Sequence, residues 1–138
     1  KSEQAAVWNS KGEVEHEIGH LETALKSFQQ ALELNSQFAD ACVNRAKVLL
    51  ELDRPAKALR EVDHALEVNG NMTHAWYTKA QIHARLNQED ELISALTTAI
   101  QQEESYRLRA RQDTRFEPYW EKDAFQALMT PLQSEDKD

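Results

Sequence analysis

Apolar and polar residues alternate along this chain with a helical rhythm, and the rhythm itself recurs. From Leu21 to Leu34 the apolar positions are Leu21, Ala24, Leu25, Phe28, Ala31 and Leu32, the i, i+3, i+4 spacing that lays one stripe along an amphipathic helix. Just before it, Ala5 to about Ile18 sets Trp8 and Gly12 one turn apart and predicts a partner helix. The stretch ALKSFQQALELNS from Ala24 to Ser36 returns as ALREVDHALEVNG from Ala58 to Gly70 and as LISALTTAIQQEE from Leu92 to Glu104, each time after 34 residues. Trp8, Cys42 and Trp76 keep this step, as do Gly12, Ala46 and Ala80, and Ala31, Ala65 and Ala99. A fixed period of this length signals stacked helix pairs. No pair can bury both its faces alone, so each needs its neighbours.

The breaks between helices carry turn residues. Within units they are Gly19, then Asp53-Arg54-Pro55, then Asn87-Gln88; between units they are Asn35-Ser36 and Asn69-Gly70-Asn71. Asp53 is read as an N-cap with Pro55 in the first turn, where a missing N–H costs nothing. Ser36 is read as a second N-cap and Gly70 as a left-handed residue after a helix end. Gly12, Ala46 and Ala80, facing Ala24 and Ala58, are expected where paired helices approach closely, with Trp8, Phe28, Val62, Trp76 and Leu96 filling the spaces between units.

These residues carry a resemblance. Trp8-x2-Lys11-Gly12 followed by Ala24-x3-Phe28-x2-Ala31 resembles the tetratricopeptide repeat, whose pattern is W-x2-L-G-x2-Y, then A-x3-F-x2-A, then P. Cys42, Ala46, Leu49, Ala58, Val62 and Ala65 follow it in the second unit, and Trp76, Ala80, Leu96 and Ala99 in the third. Lys11 departs from the usual Leu, Glu15 and His83 from Tyr, Leu92 from Ala, and Ser36, Gly70 and Glu104 from Pro. The resemblance implies an all-α, right-handed α-solenoid of three antiparallel helix pairs, with repeats at about 5–38, 39–72 and 73–106, within one domain spanning 1–138. Residues 107–132 do not complete a fourth repeat. RLRARQ can start a seventh helix in the next unit's place, and Phe116, Trp120, Ala124 and Leu128 recur at i+4 beside Phe125 and Met129. Pro118 and Asp123 are read as starts of short helices, and the whole as a helical cap over the last pair's apolar face. Residues 133–138 read as a solvated, disordered tail.

Composition narrows the function classes. The net charge is −8, yet residues 105–115 hold four Arg against one Asp. An acidic body disfavours nucleic acid, whose binding needs a basic stripe to displace counterions. No apolar run approaches the ~20 residues of a membrane span, so membrane insertion is not expected. One cysteine allows no internal disulfide and permits a reducing compartment; the cytoplasm is the favoured location. The start, KSEQAAVW, has neither an initiator Met nor an apolar signal region, which fits a piece of a longer protein.

One string suggests chemistry. His16-Glu17-Ile18-Gly19-His20 matches H-E-x-x-H, the zinc-peptidase signature, which needs both His stacked on one helix with Glu beside the metal-bound water. The repeat register opposes it: His16 closes a first helix while Gly19 and His20 occupy the turn. His64, His74 and His83 are scattered, and Cys42 takes a packing position. The expectation is no catalytic site, no cofactor and no metal.

What remains is a surface. In the family that the chain resembles, first helices line a concave groove and contacts come from the second, fifth, ninth and twelfth residues of a unit, sometimes the sixth. Carried over, the resemblance implies Asn9, Glu13 and His16; Asp40, Val43, Asn44 and Lys47; and His74, Tyr77, Thr78 and Gln81, with Arg107 and Arg111 extending the far end. A subfamily grips C-terminal carboxylates with Lys-Asn-Asn-Lys-Arg. Here Asn9, Glu13, Asn44, His74 and Thr78 stand there and only Asn44 matches, while Glu13 would repel a carboxylate, so binding of chaperone tails through that clamp is not expected. The expected function is a noncatalytic protein-interaction module that takes a partner peptide or helix in its groove. Self-association through exposed end faces is the alternative.

Overall fold

The computed structural model describes residues 1–131, and the tail expected at 133–138, with the last residue of the expected cap, lies outside the described residues. Among the described residues eight α-helices and one 3₁₀ helix follow in order: α1 (Ser2–Glu17), α2 (Leu21–Leu34), α3 (Ala39–Glu51), α4 (Pro55–Val68), α5 (Thr73–Arg85), α6 (Glu89–Gln102), α7 (Ser105–Gln112), the 3₁₀ helix (Thr114–Tyr119) and α8 (Asp123–Met129). Among the described residues there is no strand. α1 packs on α2, α3 on α4 and α5 on α6; α2 then meets α3, and α4 meets α5. The first helices also touch in series, α1 to α3 and α3 to α5. The result is a solenoid of three helix pairs.

The core is built from the periodic positions. Ala24, Phe28 and Val48 join the first pair to the second; Ala46, Ala58, Val62, Ala75 and Ile82 join the second to the third. Leu92, Leu96 and Ala99 of α6 continue into Tyr106, Phe116, Phe125 and Met129 of the C-terminal segment. That segment caps the last pair, with the 3₁₀ helix on α5 and α8 on α6 and α7.

The turns depart from the expected capping. Gly19, Asp53 and Asn87 hold φ of +87°, +60° and +59°, so the same left-handed residue ends the first helix of every unit. Asp53 is therefore not an N-cap: Arg54 takes that place, with Pro55 opening α4. Gly70 is not left-handed either; its carbonyl accepts from Trp76 Nε1 at 2.8 Å and from Gln102 Nε2 at 3.2 Å. Phe38 replaces Ser36 as the residue before α3, because Asn35 closes the turn by accepting from the Gln37 N–H at 3.1 Å. Pro118 lies inside the 3₁₀ helix, whose start is capped by Asp113 accepting from the Arg115 N–H at 3.0 Å; Asp123 does begin α8.

Candidate functional site

The touching series α1, α3, α5 presents one continuous face, and most of the positions projected for ligand contact fall on these helices. Asn44 ties the first two together, its amide donating to Asn9 Oδ1 at 3.1 Å and Glu13 Oε2 at 3.2 Å. Asn9 is buried whereas Glu13 and Asp40 are exposed. His16 Nε2 pairs with Glu51 of α3, and His20 sits across the Gly19 turn, just before α2. The two His of the H-E-x-x-H string thus belong to different helical segments. Among the described residues no three His, Cys, Asp or Glu side chains gather as metal ligands.

Four projected contacts are buried. Val43 is 0% exposed, Thr78 1%, Tyr77 3% and Asn9 7%, so their side chains lie beneath this face. Thr78 donates to the His74 carbonyl at 2.9 Å. Tyr77 packs on Tyr106 and Phe116 at 5.0 and 5.7 Å between ring centroids, and its hydroxyl donates to Asp113 Oδ2 at 2.7 Å. Gln81 donates to the same oxygen at 2.8 Å. Burial, and then the bond to Asp113, push the Tyr77 hydroxyl well above the usual phenol range.

Arg107 and Arg111 do not reach this face. Arg107 pairs with Glu104 and donates to the Leu128 carbonyl, while Arg111 donates to the Met129 carbonyl. Both guanidiniums answer carbonyls that the end of α8 leaves without intrahelical partners. Arg109 takes the place intended for Arg111, with its guanidinium carbon 5.1 Å from the Tyr77 ring and 5.2 Å from Tyr106. The cause is the linker: four residues, 69–72, separate α4 from α5, but only Glu103 and Glu104 separate α6 from α7. Projection by 34 residues therefore overshoots by two.

Lys47, His74 and Arg109 share one neighbourhood. Burial, then Arg109, lower the Lys47 ammonium below its ordinary range, against Glu13 and Glu51. Burial, then Lys47, hold His74 below its ordinary value, against Asp40, with Arg109 acting in the same direction as Lys47. Among the described residues neither Lys47 nor Arg109 makes an ion pair. Such a cluster suits an anionic group, whose arrival relieves the mutual repulsion. Arg109 and Asp113 are the two residues that sequence reasoning missed. Cys42, by contrast, is buried with its thiol pushed up to about 11, mainly by burial, which makes it inert packing.

Among the described residues, no helix is long and apolar enough to cross a membrane. Two family models described as tetratricopeptide repeat match residues 17–82 and 73–106. The sequence matches none of the curated proteins. Among solved structures, the first TPR of Spaghetti (RPAP3) bound to the HSP90 peptide SRMEEVD superposes with a TM-score of 0.76 at 18% identity, over 94% of this chain and 97% of that one. The second TPR of the same protein, with the same peptide, gives 0.72 at 19% identity over 74% and 94%. MamA gives 0.77 at 16% identity, over 91% and 74%.

Proposed function

The chain belongs to the tetratricopeptide repeat family, and from that premise we propose that it is a noncatalytic protein-interaction module that takes an acidic peptide segment across α1, α3 and α5. The observation that carries this reading is the cluster of Lys47, His74 and Arg109. The contact set is Glu13, Asp40, Asn44, Lys47, His74 and Arg109, above a floor of Asn9, Val43, Tyr77 and Thr78. Glu13 and Asp40 are anionic, so the acidic part of the ligand lies at the α5 and α7 end. A neutral or basic part lies over α1. The fold shared with a TPR bound to the acidic peptide SRMEEVD supports a peptide in this groove, although the charges that would receive it stand on different positions here.

The test uses labelled SRMEEVD and an analogue with its acidic side chains replaced by amides. The acidic peptide should bind, and the analogue should bind at least about tenfold more weakly, which is ~1.4 kcal/mol. Lys47→Glu or Arg109→Glu should each weaken the acidic peptide by a comparable factor and slow its association most at low salt. Equal binding of both peptides, or binding that neither charge reversal changes, would move the ligand off this face.

A further inference from the structure

The basic cluster and the C-terminal cap have a residue in common. Lys47 stands on α3 and His74 on α5, but Arg109 stands on α7, the first helix of the cap. Its guanidinium lies over the ring of Tyr77 on α5 and over the ring of Tyr106 on its own helix. Those two rings touch each other across the α5–α7 boundary, with centroids 5.0 Å apart. The position of Arg109 therefore depends on the cap being seated on α5.

The cap is tied together and tied down. Arg107 donates to the Leu128 carbonyl and Arg111 to the Met129 carbonyl, which links α7 to the end of α8. Asp113, between α7 and the 3₁₀ helix, accepts from the Tyr77 hydroxyl at 2.7 Å and from the Gln81 amide at 2.8 Å, both on α5. Phe116 meets the edge of the Tyr77 ring at 5.7 Å between centroids. The chain joins this body to α6 through Glu103 and Glu104 alone.

Charge acts against the docked arrangement while the groove is empty. Burial is the larger cause that disfavours the charged form of Lys47, and Arg109 comes next; on His74 Arg109 acts in the same direction, behind burial and Lys47. A cation on α7 thus repels one on α3, and undocking of the cap relieves that repulsion. An anion seated between them reverses the sign, because each cation is then drawn to it.

We propose that the cap is a working part of the ligand site, so that an acidic segment held by Lys47, His74 and Arg109 fastens α7 to α3 and α5, and cap docking and ligand binding strengthen each other. This rests on the acidic-peptide reading given above. Undocking carries Arg109 away from Lys47 and His74, so the undocked form holds the ligand more weakly. By linkage the ligand then favours the docked cap by the same factor.

The experiment measures native-state hydrogen exchange on the intact chain, free and with SRMEEVD at about 100 times its Kd. Amides of residues 105–119 should slow at least about tenfold, against a ceiling of about 100-fold for an undocked form that binds nothing. Arg109 is exposed, and Arg109→Gln should keep the fold by circular dichroism. With the peptide raised to the same saturation, this variant should show less than about twofold slowing in the cap. A cap that exchanges unchanged in the parent, slowing that Arg109→Gln retains, or slowing shared equally by every helix overturns the proposal. The groove reading is judged separately: if Lys47→Glu weakens the peptide while cap exchange stays unchanged, the coupling fails and the reading stands. No binding of SRMEEVD to the parent removes both.

Discussion

A Cβ on Gly12 would stand 2.5 Å from Cε1 and 2.7 Å from Cδ1 of Phe28, so glycine is what lets the first pair keep an aromatic ring between its helices. In the second and third units alanine takes this position, at Ala46 and Ala80, and the opposing side chain shrinks to Val62 and Leu96. Gly12→Ala should therefore destabilise by about 1–3 kcal/mol through overpacking. Phe28→Val should cost less in that background than in the parent, and denaturant unfolding of the four proteins in the cycle reads the coupling. Independent costs would show that the ring moves aside freely. His74 gives a second residue-level expectation. Burial and Lys47 hold it below its ordinary 6.5, so it is largely neutral at pH 7 in the free protein, and a carboxylate beside it would favour the protonated form. The bound state then carries more protons than the free one, and affinity for SRMEEVD should rise as pH falls through the region below about 6.5. His74→Gln should flatten the profile; a parent profile already flat between pH 5.5 and 8 would remove His74 from the contact set.

Asp113 shows how one acceptor fixes a whole element. It takes bonds from the Tyr77 hydroxyl and the Gln81 amide of α5 while capping the 3₁₀ helix through the Arg115 N–H. Asp113→Ala leaves the buried Tyr77 hydroxyl and the half-buried Gln81 amide without that partner and should cost about 1–3 kcal/mol. Faster hydrogen exchange in residues 114–119 would place the loss there, and unchanged exchange would mean that Phe116 alone holds the cap. The paired helices were legible in the sequence because their apolar spacing is local; α2 runs over the 21–34 that periodicity predicts. Their caps were less so. Asp53 reads equally as an N-cap or as a left-handed residue, and only the equivalence with Gly19 and Asn87 decides it. The proposed groove was projected through the same 34-residue step, which relates Glu13 to Lys47 and Asp40 to His74. It failed where a linker shortens by two residues, and so Arg109 went unseen. The burial of Val43, Tyr77 and Thr78 depends on contacts across units, Tyr77 above all on the cap, and residue type alone does not carry that information.

For the whole molecule, a solenoid's stability is close to a sum of unit and neighbour contributions, so its two ends need not be equal. Among the described residues α3 packs on α2, α4, α1 and α5, whereas α1 packs mainly on α2 and, more lightly, on α3. The other end is sealed: α6 shares a cluster with Phe116, Tyr119, Phe125 and Met129, so α5 and α6 are packed from both sides. Local opening should therefore start at α1, where exposed Val7, Val14 and Ile18 contribute little burial. Hydrogen exchange under native conditions should give α1 amides a lower opening free energy than those of α3 to α6. Phe28→Ala, which removes the ring between α1 and α2, should lower α1 protection more than α5 protection, since α5 lies beyond the α2–α3 contact. Equal opening free energies in α1 and α5, both falling together in Phe28→Ala, would instead mean that the three pairs and the cap unfold as one cooperative unit.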